Sequence, residues 1–394
     1  MERGLPKAYE EIARAHARPE RVYVTRPAMP SLESFQAHVA GIWERRWLTN
    51  AGRLHGELEG RLAEYLGAPH LSLFCNGTIA LLAALRLLKI EGGEVVTTPF
   101  TFPATAHALT WMGLRPVFCD IDPVTLNLDP GRIEAAITPE TRAILPVHVY
   151  GIPCDVDAIQ GIADRRGIRV LYDAAHTFGA RFRGRALAAY GDAAMLSFHA
   201  TKLFSTIEGG ALVVPDAARK REVDLLKNFG IVDAETVAVP GINGKMNEFQ
   251  AAFGLLHLEQ VDREIAARRA IAQVYRDGLG EVPGITLPSE PADLEQNYAY
   301  FPIFVDPAAF GMSRDDLHRC MLWANIEPRK YFHPLCSRYP CYRELPSARP
   351  ELLPVAERAA ERVLCLPVYS ELPLDAVRDV CALTRELQEA AGAG

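Results

Sequence analysis

Residues 194–214 read AMLSFHATKLFSTIEGGALVV. An apolar run, 194–198, and a second one, 211–214, have the composition of buried strands. Between them stand a lysine, Lys202, with Thr201, Ser205 and Thr206 around it, and the glycine pair 209–210. A lysine ordinarily keeps its ammonium in water. Flanks that are apolar and glycine-rich rather than charged desolvate it, lower its pKa and leave a free amine able to bond a carbonyl carbon. Lys202 therefore reads as the covalent anchor of an aldehyde cofactor, and the rest of the chain must supply what such a cofactor needs.

On either side the chain alternates between two periods. Strand patterns fall at 71–74, 94–98, 115–119, 143–147 and 170–172, and helical patterns at 53–66, 78–88 and 155–166. Short apolar strands alternating with helices predict an α/β fold whose mostly parallel sheet is covered on both faces. From Glu248 to Leu279 the helical period runs on without a break, as a spacer between domains. Beyond it the composition shifts to proline and short strands (NYAYFPIFV, 297–305), then to helices at 313–326 and 375–390. The expected division is an N-terminal segment, 1–50, packing on the core, a large α/β domain, 51–277, and a smaller α+β domain, 278–394.

With 394 residues, 49% of them hydrophobic and 23% charged, the chain has the composition of a soluble globular protein. Its net charge of -7 disfavours nucleic acid as a partner, since phosphate binding needs a basic face. The eight cysteines form no CxxC pair and no zinc-type spacing, so they read as reduced thiols, with no metal. The opening MERGLPKAYEEIARAHARPE lacks the apolar core of a signal peptide, and no run approaches the roughly 20 apolar residues of a membrane span. A cytoplasmic protein with no membrane partner is the expectation.

Three further stretches converge with Lys202. In CNGTIALLAALRLL (75–88) a strand runs through an Asn-Gly-Thr turn into a helix, whose unpaired first amides and positive dipole end suit an anion. Gly77 permits close approach and Thr78 adds a hydroxyl; Ser197, five residues before the lysine, adds another. In VLYDAAHTFGA (170–180), Asp173 closes a strand, the end at which open α/β sheets bind ligands, and His176 follows. A carboxylate there can keep a pyridine nitrogen protonated. In PFTFPATAHAL (99–109), Phe102 offers a face for a flat ring. A phosphate cradle, a ring platform, a partner for a ring nitrogen and an amine together describe the needs of pyridoxal 5'-phosphate. No glycine-rich dinucleotide fingerprint is present.

The order NGT, TPFTFPAT, PVHVYG, YDAAHTFG, SFHATKLFSTIEGG, KNFG and GINGKMNEFQAA resembles the DegT/StrS family of sugar aminotransferases, nearly end to end and most strongly from Asn76 to Phe253. The resemblance implies a fold-type I pyridoxal-phosphate-dependent transferase. Lys202 would then bond the cofactor, Asp173 would meet its ring nitrogen, and His176 would stand beside its phenolic oxygen. Ser197, Gly77 and Thr78 would hold the phosphate, and Phe102 would cover the ring. Asn243 would reach the phosphate from the second subunit of a homodimer. His148, Tyr150 and Lys245 lie in motifs near the site and could meet the substrate. The implied reaction passes an amino group from L-glutamate to a nucleotide-linked keto sugar, with dTDP-4-keto-6-deoxy-D-glucose as the best match. A 3-keto sugar nucleotide aminotransferase, a sugar dehydratase using the same cofactor and a non-catalytic regulatory homologue stand as alternatives.

Overall fold

The structure is a computed structural model that describes residues 5–392. Its centre is a seven-stranded sheet. In chain order the strands are β1 (Leu71–Phe74), β2 (Glu94–Thr97), β3 (Arg115–Phe118), β4 (Thr141–Leu145), β5 (Arg169–Asp173), β6 (Ala193–Ser197) and β7 (Gly210–Val213). In space they run β1-β7-β6-β5-β4-β2-β3, and only β7 is antiparallel to its neighbours. β1, β2 and β7 are buried at every position, as the interior of a sheet covered on both faces requires. Helices Gly77–Leu87, Pro103–Trp111 and Val156–Arg166 follow β1, β2 and β4. The carboxyl ends of β1, β2, β5 and β6 therefore open onto one edge, and the site forms there.

A second, three-stranded antiparallel sheet (Ile285–Thr286, Phe301–Val305 and Val363–Leu366) packs with helices Arg314–Trp323 and Leu374–Gly392 in its own apolar core, a smaller α+β unit. Residues 5–50 divide between the two bodies. Helix Lys7–Ala15 lies on the 314–323 and 374–392 helices, whereas Leu32–Arg45 lies on the helix that starts at Glu248. Among the described residues no helix is long and apolar enough to cross a membrane.

The structure corrects one expectation. The helical run after Asn247 is not continuous: it forms Glu248–Leu258 and Val261–Leu279. The amide of Gln260 turns back to the carbonyl of His257 at 3.0 Å, which closes the first helix. Asp262 and Glu264 then open the second with acids in its first turn. Neither proline nor glycine marks the break, so periodicity ran through it. The bend lets Val261 stay in the main core while Ile271, Tyr275 and Leu279 enter the smaller one.

Candidate active site

Strand β6 ends at Ser197 and the chain closes a loop on itself before β7. Phe198 donates to the carbonyl of Gly209 at 2.8 Å, and Thr206 donates to that of Phe198 at 2.9 Å. Lys202 rises from this loop into a cleft of about 980 Å³, its open mouth included. Burial lowers its pKa to about 8, against the opposing pull of the Asp173 carboxylate. Its amine donates to the hydroxyl of Tyr300 at 3.2 Å. Ser205 and Thr206 do not surround the amine as their position in the sequence suggests. The Ser205 hydroxyl accepts from the amide of Ile207, and the Thr206 hydroxyl donates to the carbonyl of Glu208, so both fasten the loop.

Asp173 lies at the end of β5, one side of its carboxylate accepting from the Thr105 hydroxyl at 2.7 Å and the other from the amide of Ala175 at 3.0 Å. Thr105 spends its hydrogen there, so the Thr101 hydroxyl, 3.0 Å away, donates to it in turn. Burial raises the Asp173 pKa, and these donors together with the nearby Lys202 hold it back. A buried carboxylate so placed gains most from a cation above it. His176 accepts the amide of Tyr150 on Nδ1 at 3.1 Å, which puts its hydrogen on Nε2. Burial holds it well below its ordinary pKa, hence neutral, and its ring lies parallel to that of Phe332.

Gly77, Thr78, Phe102 and Ser197 line the same cleft. Asn76 caps the 77–87 helix by accepting from Ile79, and the first-turn amides of Gly77 and Thr78 have no intrahelical partner. A Cβ on Gly77 would stand 3.0–3.1 Å from Met195 and Ser197, so this corner is built for close approach. Gly210, of the glycine pair, passes the same turn. A Cβ there would fall 2.6 Å from the amide nitrogen of Gly77.

The cleft thus gathers seven of the expected residues, Lys202, Asp173, His176, Ser197, Gly77, Thr78 and Phe102; Asn243, Lys245, His148 and Tyr150 do not line it. His148 is fully buried, takes the amide of Cys154 on Nδ1 at 3.0 Å and stacks on Tyr172. Tyr150, also buried, donates to the carbonyl of Tyr331. Both are packing residues, not walls of the cleft, which corrects the expectation of substrate contact. Asn243 bridges to Asn228 on the surface, and Lys245 lies over the Phe229 ring; neither lines the cleft of its own chain. Sequence reading missed Thr105 and Tyr300. Thr105 lay in a quoted motif, three residues past Phe102 on the same helix turn; nothing local distinguished Tyr300.

An amine with a lowered pKa, a buried carboxylate, an anion-binding turn and a ring-lined wall can bond a carbonyl compound covalently and hold its charged ends. Comparison with known proteins agrees. Residues 31–385 match the model of the DegT/DnrJ/EryC1/StrS aminotransferase family. The chain is 49% identical over 352 residues to a dTDP-4-amino-4,6-dideoxy-D-glucose transaminase of Escherichia coli, covering 89% of this chain and 94% of that protein. A protein of the same name from Shigella dysenteriae is 45% identical, with 93% and 99% covered. Among solved structures, DesI in the presence of its TDP-sugar product superimposes with a TM-score of 0.89 at 36% identity, over 96% of this chain and 95% of that one.

Proposed function

The chain belongs to the DegT/DnrJ/EryC1/StrS aminotransferase family, and from that premise we propose that it uses pyridoxal 5'-phosphate to pass an amino group from L-glutamate to C4 of dTDP-4-keto-6-deoxy-D-glucose. One observation carries this reading: a partly buried lysine, its amine pKa lowered to about 8, shares a cleft with a buried carboxylate. The names of the Escherichia coli and Shigella relatives support the sugar and the carbon.

The residues present fit the cofactor. Lys202 would bond its aldehyde carbon, and Asp173, needing a cation, would take its ring nitrogen. The Gly77–Thr78 turn and Ser197 would hold the phosphate, His176 would donate from Nε2 to the phenolic oxygen, and Phe102 would cover the ring. When bound, the group supplies a carbonyl that exchanges amines and a ring that accepts an electron pair from carbon. The chain's own residues do the rest. Asp173 stabilises positive charge on the ring nitrogen, and the freed Lys202 amine takes the α-proton of the donor, then delivers a proton to the sugar carbon in the second half of the cycle. In this reading Asn243 of the partner subunit completes the phosphate site of a homodimer.

The test is a visible spectrum of the purified protein before and after L-glutamate. The expected result is a band near the yellow region that glutamate abolishes and the keto sugar restores, with borohydride fixing the cofactor on Lys202. A band indifferent to glutamate, or sugar turnover without any amino donor, overturns the proposal; the second outcome would favour the dehydratase.

A further inference from the structure

We propose that Tyr300 is a positioning residue that holds the Lys202 amine at the cleft wall whenever the lysine is not bonded to the cofactor. Among the described residues its hydroxyl is the one side-chain group that hydrogen-bonds Nζ, at 3.2 Å. The choice of partner matters chemically. A carboxylate within ion-pair distance would keep the amine protonated and useless as a base. A phenol accepts one N–H and, because burial keeps it neutral, favours the ammonium form far less than a carboxylate would.

The structure fixes this phenol firmly. Its ring is set against those of His176, Tyr150 and Tyr331, with centroids 4.7, 5.7 and 5.9 Å away. The turn that carries it is stitched to the loop after Asp173. Asn297 donates to the carbonyls of His176 and Phe178 at 2.8 and 3.0 Å and accepts from the amide of Ala299. The strand Phe301–Val305 anchors the other side. Lys202, His176 and Tyr300 therefore come from three separate stretches yet hold one fixed arrangement. The charges that act on the amine are those of Asp173 and Tyr331, beside its hydrogen bond to Tyr300, and the amine in turn acts on His176; those that act on the phenol are Cys365, Arg268 and Asp173. Arg268 is fully buried, with Nη1 donating to the carbonyl of Val368 at 3.0 Å, and its charge opposes the upward push of burial on the phenol.

The inference rests on reading Lys202 as the proton-moving amine, and its test separates the two. Tyr300→Phe removes one oxygen and keeps the ring packing, so an unchanged melting temperature is expected. The first measurement uses the full chain stripped of cofactor. Trinitrophenylation of Lys202 by trinitrobenzenesulfonate, in which the neutral amine displaces sulfite from the ring, is followed by peptide mass across pH, and its midpoint reports the amine. Loss of an acceptor that favours the ammonium form should move that midpoint down by about one pH unit. The second is the rate at which glutamate abolishes the visible band of the loaded protein, expected to fall at least about tenfold for Tyr300→Phe as the amine loses its aim. An unshifted trinitrophenylation midpoint overturns the proposal whatever the rate does, and so does a shifted midpoint with an unchanged rate. If the wild-type band ignores glutamate, the reaction assigned above fails, while the midpoint still decides the contact.

Discussion

At the scale of single residues the protein turns on one amine. Its pKa is lowered from the ordinary 10.5 to about 8 because burial penalises the ammonium form. Two pH dependences follow. Capture of the cofactor aldehyde needs the neutral amine, so the rate at which stripped protein regains its visible band should rise with pH through about 8 and then level off. The unfolded chain holds that proton up to about 10.5, so between these values it binds more protons than the folded one, and the stability of the cofactor-free protein should rise with pH across that window. Denaturant melts at several pH values check the sign, and Lys202→Met should abolish this contribution. Lys202→Ala should show neither the visible band nor turnover. Asp173→Asn keeps the shape of the site but not the charge, so it should still bind cofactor while the glutamate half-reaction slows by about 100-fold or more. Stopped-flow absorbance distinguishes binding from rate; an unaltered rate would remove Asp173 from its role.

The elements explain why those residues meet, and where sequence reading stopped. Glycine shows the difference between a constrained and a free position. Gly210→Ala would push a methyl to within 2.6 Å of the Gly77 nitrogen, backbone against backbone, so β7 or the anion-binding turn must shift. A loss of about 1–3 kcal/mol in stability and weaker cofactor binding are expected, measured by melting and by titration. Gly60, on the exposed face of the helix Arg53–Leu66, meets nothing within 4 Å, and Gly60→Ala should instead gain about 0.5–1 kcal/mol. The seven strands and their helices were legible because each carries its own period and its own punctuation. The break at Glu259–Gln260 was not, since it follows from a change of packing partner and leaves no local mark. The cluster around Lys202 was legible where chemistry and strand ends coincide, as at Asp173 and Ser197. His148 and Tyr150 misled because a motif places residues near a site without saying which way they face; Tyr150 sits at φ 56°, which turns the chain just there. Tyr300 was illegible because its role comes from packing across 98 positions of sequence.

At the scale of the whole molecule the surface around Asn243 is the telling part. Phe229, Ile231, Val232, Val237 and Ile242 are each 40–66% exposed on a segment held together by the bridges Asn228–Asn243 and Ile231–Val237. So many exposed apolar side chains on one short segment call for a cover. If Asn243 completes the cleft of a second subunit, mutual repair should be possible between two inactive proteins. Lys202→Ala lacks the amine, and Asn243→Ala lacks the proposed phosphate contact. In a mixed dimer one site inherits both lesions and the other inherits neither. Equal amounts, dissociated and reassociated at random, should place the two lesions together in half of the dimers and so recover about one quarter of wild-type activity. If Asn243 served the cleft of its own chain, every site in the mixture would carry one lesion and no activity would return. Assaying the mixture beside each parent, with subunit exchange confirmed by native mass spectrometry, separates these outcomes. Exchange without recovered activity would confine the action of Asn243 to its own chain and overturn the shared site.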